Sequence, residues 1–264
     1  ATVANVTTSE RKNKNVNIKT KVQETMGVIG KASANLYAQF LWRIKNIKEQ
    51  YNLTNCYIAL FCRTNYMANI GYDKFRIHFL NNFGFVNGCI FSAGHFGETS
   101  EKWGISFNIW SSTTNTEKNV FKHVVIDNID GEIKELGIKN IYNIDGLKPA
   151  NEWAKDPIKK MPTEFFVPLK SGLNVGVTNG TKIVKNAFGS SMFIANNVYQ
   201  SAQFVALFTG TINSVTIPTI SICKENFDRL ITLFSTRRNI PLSWDNWQDE
   251  YMVPNTNHPK YNDY

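Results

Sequence analysis

His95 and Phe96 stand side by side in a polar, glycine-bearing loop over residues 92–102, with Glu98 and Glu101 close behind. A histidine beside carboxylates can move a proton near neutral pH. A phenyl ring at the edge of a sheet can stack on a planar ligand such as a nucleobase. The bland readings are a solvated His/Glu surface and a loop ring packed on its neighbours. Signatures of other chemistry are missing from the chain: it has no G-x-S-x-G, no Walker A, no H-E-x-x-H and no glycine-rich dinucleotide turn after a strand. Cys56, Cys62, Cys89 and Cys223 share no C-x-x-C spacing, and three of them lie inside apolar runs, so reduced thiols are expected. His78, His95, His123 and His258 are scattered, which gives no metal signature.

Charge supplies the second lead. The net charge is +8, and residues 1–31 carry Arg11, Lys12, Lys14, Lys19, Lys21 and Lys31 against Glu10 and Glu24. A basic, Asn/Thr-rich stretch ahead of the first regular element fits a flexible loop near a polyanion, or a solvated tail. At 264 residues, with 42% apolar and 13% aromatic content, the chain can bury a substantial core. No apolar run reaches the roughly 18 residues of a membrane helix, and nothing near Ala1 has the pattern of a signal peptide. A cytoplasmic protein without a membrane partner is expected.

The elements that must position these residues follow from periodicity. Leu36, Phe40, Leu41, Ile44 and Ile47 recur at spacings of three and four, predicting an amphipathic helix over 33–50 with Ser33 as its N-cap. The continuous apolar run 56–62 reads as a strand covered on both faces. Residues 72–83 read as a second helix with Phe75, Phe79 and Leu80 inward, and 85–91 and 103–110 as further strands. The loop between those two strands is too short for a crossover helix, which predicts an antiparallel hairpin at one edge of an α/β sheet.

Beyond residue 111 the texture changes. Segments 121–129 and 138–145 look like short strands between Asp/Asn/Gly turns, and 146–215 is a β-and-loop region with apolar runs at 191–195 and 204–208. A helical pattern returns over 224–238 through Phe227, Leu230, Ile231 and Phe234, ending at Arg237-Arg238. The tail 241–264 carries Trp244, Trp247, Tyr251, Tyr261 and Tyr264.

Order and spacing together resemble a known family. Asn35-Leu36-Tyr37, then Phe40-Leu41, open a helix; a strand over 58–62 follows, with Arg63-Thr64-Asn65-Tyr66 in its exit loop. Then come Ser92-Ala93-Gly94-His95-Phe96 and Lys102-Trp103-Gly104-Ile105-Ser106-Phe107. This arrangement resembles the post-catalytic half of adenine-N6 DNA methyltransferases whose Asn-Pro-Pro-Tyr motif precedes the recognition domain, including restriction-linked enzymes. Similarity continues in Phe234-Ser235-Thr236-Arg237-Arg238 and in the run Trp244 to Tyr251, and is thin over 113–221. Ala1-Thr2-Val3-Ala4-Asn5 looks like the run that directly follows the motif, so the resemblance implies that the catalytic residues precede Ala1.

The resemblance implies an α/β fold: the second half of a Rossmann-like methyltransferase sheet, ending in an antiparallel hairpin. It implies a catalytic half over 1–112, a β-rich accessory region over 113–221, and a helix with an aromatic tail over 222–264. The implied activity is methyl transfer from S-adenosylmethionine to adenine N6 in double-stranded DNA, by an enzyme of which this chain is an inactive part on its own. Phe40 takes the place of the ring that borders the cofactor adenine, and Phe96 that of the ring stacking on the flipped base. Tyr37 supports the helix rather than contacting substrate. Arg11, Lys12, Lys14, Lys19, Lys21, Arg237 and Arg238 become candidates for DNA contact, and no metal is needed. Further implied partners are the remainder of the parent polypeptide and a restriction nuclease domain or subunit. The alternative is a non-catalytic DNA-binding or specificity module. A third reading, a structural protein with no site, makes Phe96 an ordinary packed ring.

Overall fold

Alternating apolar residues, broken by polar turns, build one mixed five-stranded sheet in the first half of the chain. Its strands are β1 (Tyr57–Cys62), β2 (Gly84–Ser92), β3 (Gly104–Ser111), β4 (Val120–Ile129) and β5 (Glu132–Tyr142). This computed structural model describes residues 21–27, 29–97, 99–113, 118–144, 146–166, 181–193, 196–199, 205–209, 219–255 and 257. The strand order is β1-β3-β2-β4-β5. β3 runs antiparallel to both β1 and β2, β2 pairs parallel with β4 through Cys89↔Val124, and β4 pairs antiparallel with β5. The architecture is therefore mixed α/β, as expected.

Several expectations need correction. The 85–91/103–110 hairpin forms, yet it is internal: β3 inserts between β1 and β2, and β4–β5 extend the sheet past β2. Six residues earlier than expected, β5 begins at Glu132, because Asp130 (φ 56°) and Gly131 (φ 85°) close a two-residue turn from Ile129 to Glu132. Both central residues have positive φ, a backbone that Asp-Gly adopts readily. The strand β1 is not covered on both faces. Ile58 and Cys62 are buried, whereas Tyr57 and Phe61 are 67% and 56% exposed.

The covered face of the sheet carries Ser106, Asn108, Trp110, Phe85, Ile90, Phe121 and His123. Against it pack α3 (Asn65–Ala68) and α4 (Asp73–Leu80) in a shell of rings, with α2 (Leu36–Gln50) beside them through Tyr37 on Tyr66 and α1 (Lys21–Thr25) tied to α2 by the Trp42 indole N–H donating to Thr25 Oγ1. In chain order these are α1 to α4. Phe79 meets Trp110 edge-on at 5.0 Å, Tyr66 lies 5.9 Å from Trp110, and Phe75 stacks on Phe79. The predicted second helix thus buries Phe75, Phe79 and Leu80 as expected.

Its predecessor differs in detail. The α2 helix starts at Leu36 after a 3-10 turn over Gly30–Ala34, with Asn35 as N-cap, while the Ser33 hydroxyl donates to the Gly30 carbonyl inside that turn. Its packed face is Ala38, Gln39, Leu41, Trp42 and Lys45; Phe40 and Ile47 lie outward. The helix carries apolar residues on more than one face, so periodicity alone chose the wrong stripe.

Contacts divide the chain into two compact units, Ala1–Asp145 and Gly146–Tyr264, rather than at 112 and 221. The reason is pairing: β4 and β5 complete the first sheet. In the second unit, α5 (Ala150–Lys155) and α6 (Phe227–Asn239) share a core with Trp153, Ile158, Val198, Ile220, Leu230 and Leu233. Short sheets surround it, built from β6 (Thr163–Phe166), β7 (Thr181–Val184), β8 (Gly189–Phe193), β9 (Val205–Phe208) and β10 (Thr219–Ile222). Among the described residues no helix is long and apolar enough to cross a membrane.

Candidate functional site

The parallel strands β1, β2 and β4 end on the same edge of the first sheet, the edge where open α/β sheets present ligand sites. At that edge Phe96 leaves β2 through a 3-10 turn, Ala93–His95, and its ring is 42% exposed. Beneath it lie Phe61 of β1, edge-on at 5.8 Å, and Phe91 of β2, tilted at 5.8 Å. Phe61 in turn rests on Phe107 of β3 at 4.7 Å. Phe96 is therefore both anchored and presented: two rings fix its position while part of its surface meets solvent.

The turn beneath Phe96 is tied on each side. Ser92 Oγ accepts from the Gly94 N–H and donates to the Glu101 carbonyl at 3.1 Å, and the Ala93 N–H donates to the Trp103 carbonyl at 2.7 Å. A Cβ on Gly94 would meet Glu101 Cγ at 2.5 Å, so only glycine lets the two strands of the loop approach. On the other side His95 Nε2 lies 2.6 Å from Asp127 Oδ1 at the end of β4, and the same oxygen accepts from the Asn128 N–H at 2.9 Å. His95 pairs with Asp127, a residue the sequence did not suggest. Glu98 lies outside the described residues.

Next to this loop the Arg63 guanidinium sits over the Trp103 ring at 4.8 Å. Tyr37 stacks on Tyr72 with their hydroxyls hydrogen-bonded, and it tilts against Tyr66. Burial pushes all three hydroxyls above the ordinary tyrosine range, and for Tyr37 the neighbouring Tyr72 adds to the effect. These phenols stay neutral and serve as braces for α2, the role expected of Tyr37. Burial also raises the Cys62 thiol to about 11, which keeps it protonated and unreactive near neutral pH.

Phe40 is 55% exposed on α2, and the ring contacts that fix Phe96 do not include it. Lys21 is exposed at the start of α1, while Arg11, Lys12, Lys14 and Lys19 lie outside the described residues. In the second unit Arg237 is 1% exposed, its guanidinium over Tyr251 at 5.2 Å and Nη2 donating to Asn196 Oδ1 at 3.4 Å. Burial lowers its pKa to about 10. That geometry gives Arg237 a packing role. Arg238 is exposed, lies over Phe234 at 5.6 Å and donates to the Val205 carbonyl.

Beneath the edge runs a buried polar chain that no sequence pattern announced. His123 faces Asn108 Oδ1 through Nε2 at 2.8 Å and the Phe121 carbonyl through Nδ1 at 3.1 Å. Asn108 donates to Ser106 Oγ at 2.8 Å and Trp110 donates to the Tyr66 hydroxyl at 3.1 Å. Burial outweighs the Phe121 carbonyl and lowers the His123 pKa to about 4, so the ring is neutral at pH 7. This chain links β1, β3 and β4 and stiffens the floor of the site.

Comparison with protein-family models, with curated proteins and with solved structures finds no match to this chain.

Proposed function

We propose that this chain is the second half of an S-adenosylmethionine-dependent DNA adenine-N6 methyltransferase, and that Phe96 stacks on the flipped adenine. The observation that carries this reading is the Phe96 ring, partly exposed on a base of Phe61 and Phe91 at the carboxyl edge of two parallel strands. The order of elements supports it: helix, strand, helix, strand, loop and returning antiparallel strand follow one another as the resemblance implies.

Chemically, extruding a base from a duplex costs a few kcal/mol, and stacking on a held ring recovers part of it. The methyl transfer itself is a positioning task, with the amino nitrogen in line with the sulfonium methyl. On this reading the groups that hold that nitrogen lie ahead of Ala1, in an Asn-Pro-Pro-Tyr motif, and most of the S-adenosylmethionine contact lies there too. Phe40, outward on α2, lines the cofactor side.

The test has two stages. The open reading frame upstream of Ala1 is read first, and a frame without Asn-Pro-Pro-Tyr there sinks the proposal. The full-length protein is then assayed with labelled S-adenosylmethionine on duplex DNA, wild type beside Phe96→Ala. Label on adenine N6 that falls at least tenfold in the variant supports the reading. Salt-sensitive DNA binding without label favours a non-catalytic specificity module instead.

A further inference from the structure

Beside Phe96, on the β4 side, a cleft of about 350 Å³ opens at the same edge of the sheet. Its walls are Phe91, Ile126 and Ile133, and its polar rim is His95, Asp127 and Asn128. The volume falls in the range of small-molecule sites, roughly 300–1,000 Å³. Phe91 also contacts the Phe96 ring at 5.8 Å, so the cleft shares a wall with the support of Phe96. A ligand stacked on Phe96 would border this cleft through Phe91.

The lining selects among ligands. Two isoleucines and a phenyl ring offer apolar surface for the faces of a planar ring. The rim carries a carboxylate whose Oδ1 is already engaged by His95 at 2.6 Å and by the Asn128 N–H at 2.9 Å, which fixes its orientation. A fixed carboxylate repels phosphate and accepts from an exocyclic amino group, as carboxylates do from cytosine N4. Adenine, cytosine and guanine carry such a group and thymine does not.

We propose that the cleft is a second base-binding subsite, which takes an amino-bearing base adjacent to the nucleotide stacked on Phe96, with Asp127 as the specificity-determining acceptor. The proposal rests on the base-stacking reading of Phe96. His95 is a positioning residue here: it orients the carboxylate and joins the Phe96 turn to β4. The sequence alone hides this, because β2 and β4 meet through the parallel register of Cys89 with Val124 and Ile90 with Val125, a pairing between segments far apart in the chain.

The experiment titrates the 264-residue chain with labelled single-stranded tetradeoxynucleotides of all-A, all-C or all-T sequence at one salt concentration, reading fluorescence anisotropy. All-A and all-C are expected to bind about tenfold tighter than all-T, the low end of a base-edge contact. Asp127→Asn replaces an acceptor with a group that can donate to thymine O4, so it should bring all-T within about threefold of the others. A circular-dichroism spectrum checks that the variant folds, and Asp127→Ala, which should weaken all-A and all-C without helping all-T, stands in if it does not. Equal affinities for the three oligonucleotides, a preference that survives both variants, or no binding overturns the subsite. Phe96→Ala separates the two readings: a uniform loss across all three sequences without base preference keeps the stacking role and sinks the cleft. Base preference with no effect of Phe96→Ala does the reverse.

Discussion

The Phe96 ring stands edge-on to Phe61, centroids 5.8 Å apart and planes at 78°. Aromatic pairs of this geometry contribute about 0.5–1.5 kcal/mol beyond area burial. Phe96 is 42% exposed, so Phe96→Ala should cost about 1 kcal/mol of stability, well short of the roughly 3 kcal/mol or more of a fully buried ring. A double-mutant cycle with Phe61→Ala, followed by urea unfolding, should give a coupling of about 1 kcal/mol. A cost of 3 kcal/mol for Phe96→Ala alone would mark the ring as plain core and remove the reason to assign it a ligand.

The buried His123 predicts an acid sensitivity. Its folded pKa is about 4, below the ordinary value of 6.5, so the unfolded chain takes up the proton first. Stability is therefore fully present above pH 6.5 and falls as pH drops toward 4, by about 3 kcal/mol at the limit. His123→Gln should flatten that stretch of the stability profile. Should the variant fail to fold, NMR titration of the wild-type ring supplies the check, since a His123 resonance moving near pH 6.5 contradicts the enclosed position.

Gly88 reports on the same packing. A Cβ there would meet His123 Cδ2 at 2.8 Å and Asn108 Oδ1 at 2.9 Å, two side chains locked in the buried polar chain. Overpacking of this kind costs about 1–3 kcal/mol. Gly88→Ala should lower the urea midpoint accordingly and shift the His123 ring resonances, whereas Gly97→Ala, with open space around its Cβ, should leave those resonances in place.

Much of the first unit was legible before its structure, for physical reasons that single residues show. The segment over 73–80 repeats its rings with helical period, so Phe75, Phe79 and Leu80 pointed inward as read. Phe96 was conspicuous because an aromatic side chain in a polar loop has no core nearby in sequence. Asp127 was invisible for the opposite reason: its partner lies 32 residues away, brought close when β2 pairs parallel with β4. Likewise Ser106, Asn108 and His123 look like ordinary polar alternation along a strand, yet they face the helices and bond to one another. The apolar stripe of α2 misled because a helix with apolar residues on several faces does not say which face the sheet will take.

The adjacent pair Arg237-Arg238 separates by role. Arg237 is enclosed over Tyr251, so Arg237→Ala should destabilise the second unit by about 1–3 kcal/mol through lost packing and, if the chain binds DNA as proposed, leave the salt dependence of that binding unchanged. Arg238 is exposed; if it meets a phosphate, Arg238→Ala should reduce the slope of log K against log salt by about 1 and leave stability within about 0.5 kcal/mol. Binding isotherms at four salt concentrations beside thermal melts distinguish these outcomes. An altered slope for Arg237→Ala with normal stability would contradict its enclosed position.

Phe40 offers the sharpest separation of ligand from fold. It is 55% exposed on α2, while the helix packs through Ala38, Leu41, Trp42 and Lys45 on another face. A ring so placed adds little to the folded state, so Phe40→Ala should change stability by less than about 1 kcal/mol. If it borders the adenine of S-adenosylmethionine in the full-length enzyme, losing that apolar contact should raise the cofactor Kd by about tenfold, equivalent to about 1.4 kcal/mol. Calorimetric titration of the full-length protein with S-adenosylmethionine measures this directly, and Phe40→Leu should recover part of the affinity because it restores apolar surface without the ring. An unchanged Kd in Phe40→Ala would release this face of α2 from the cofactor.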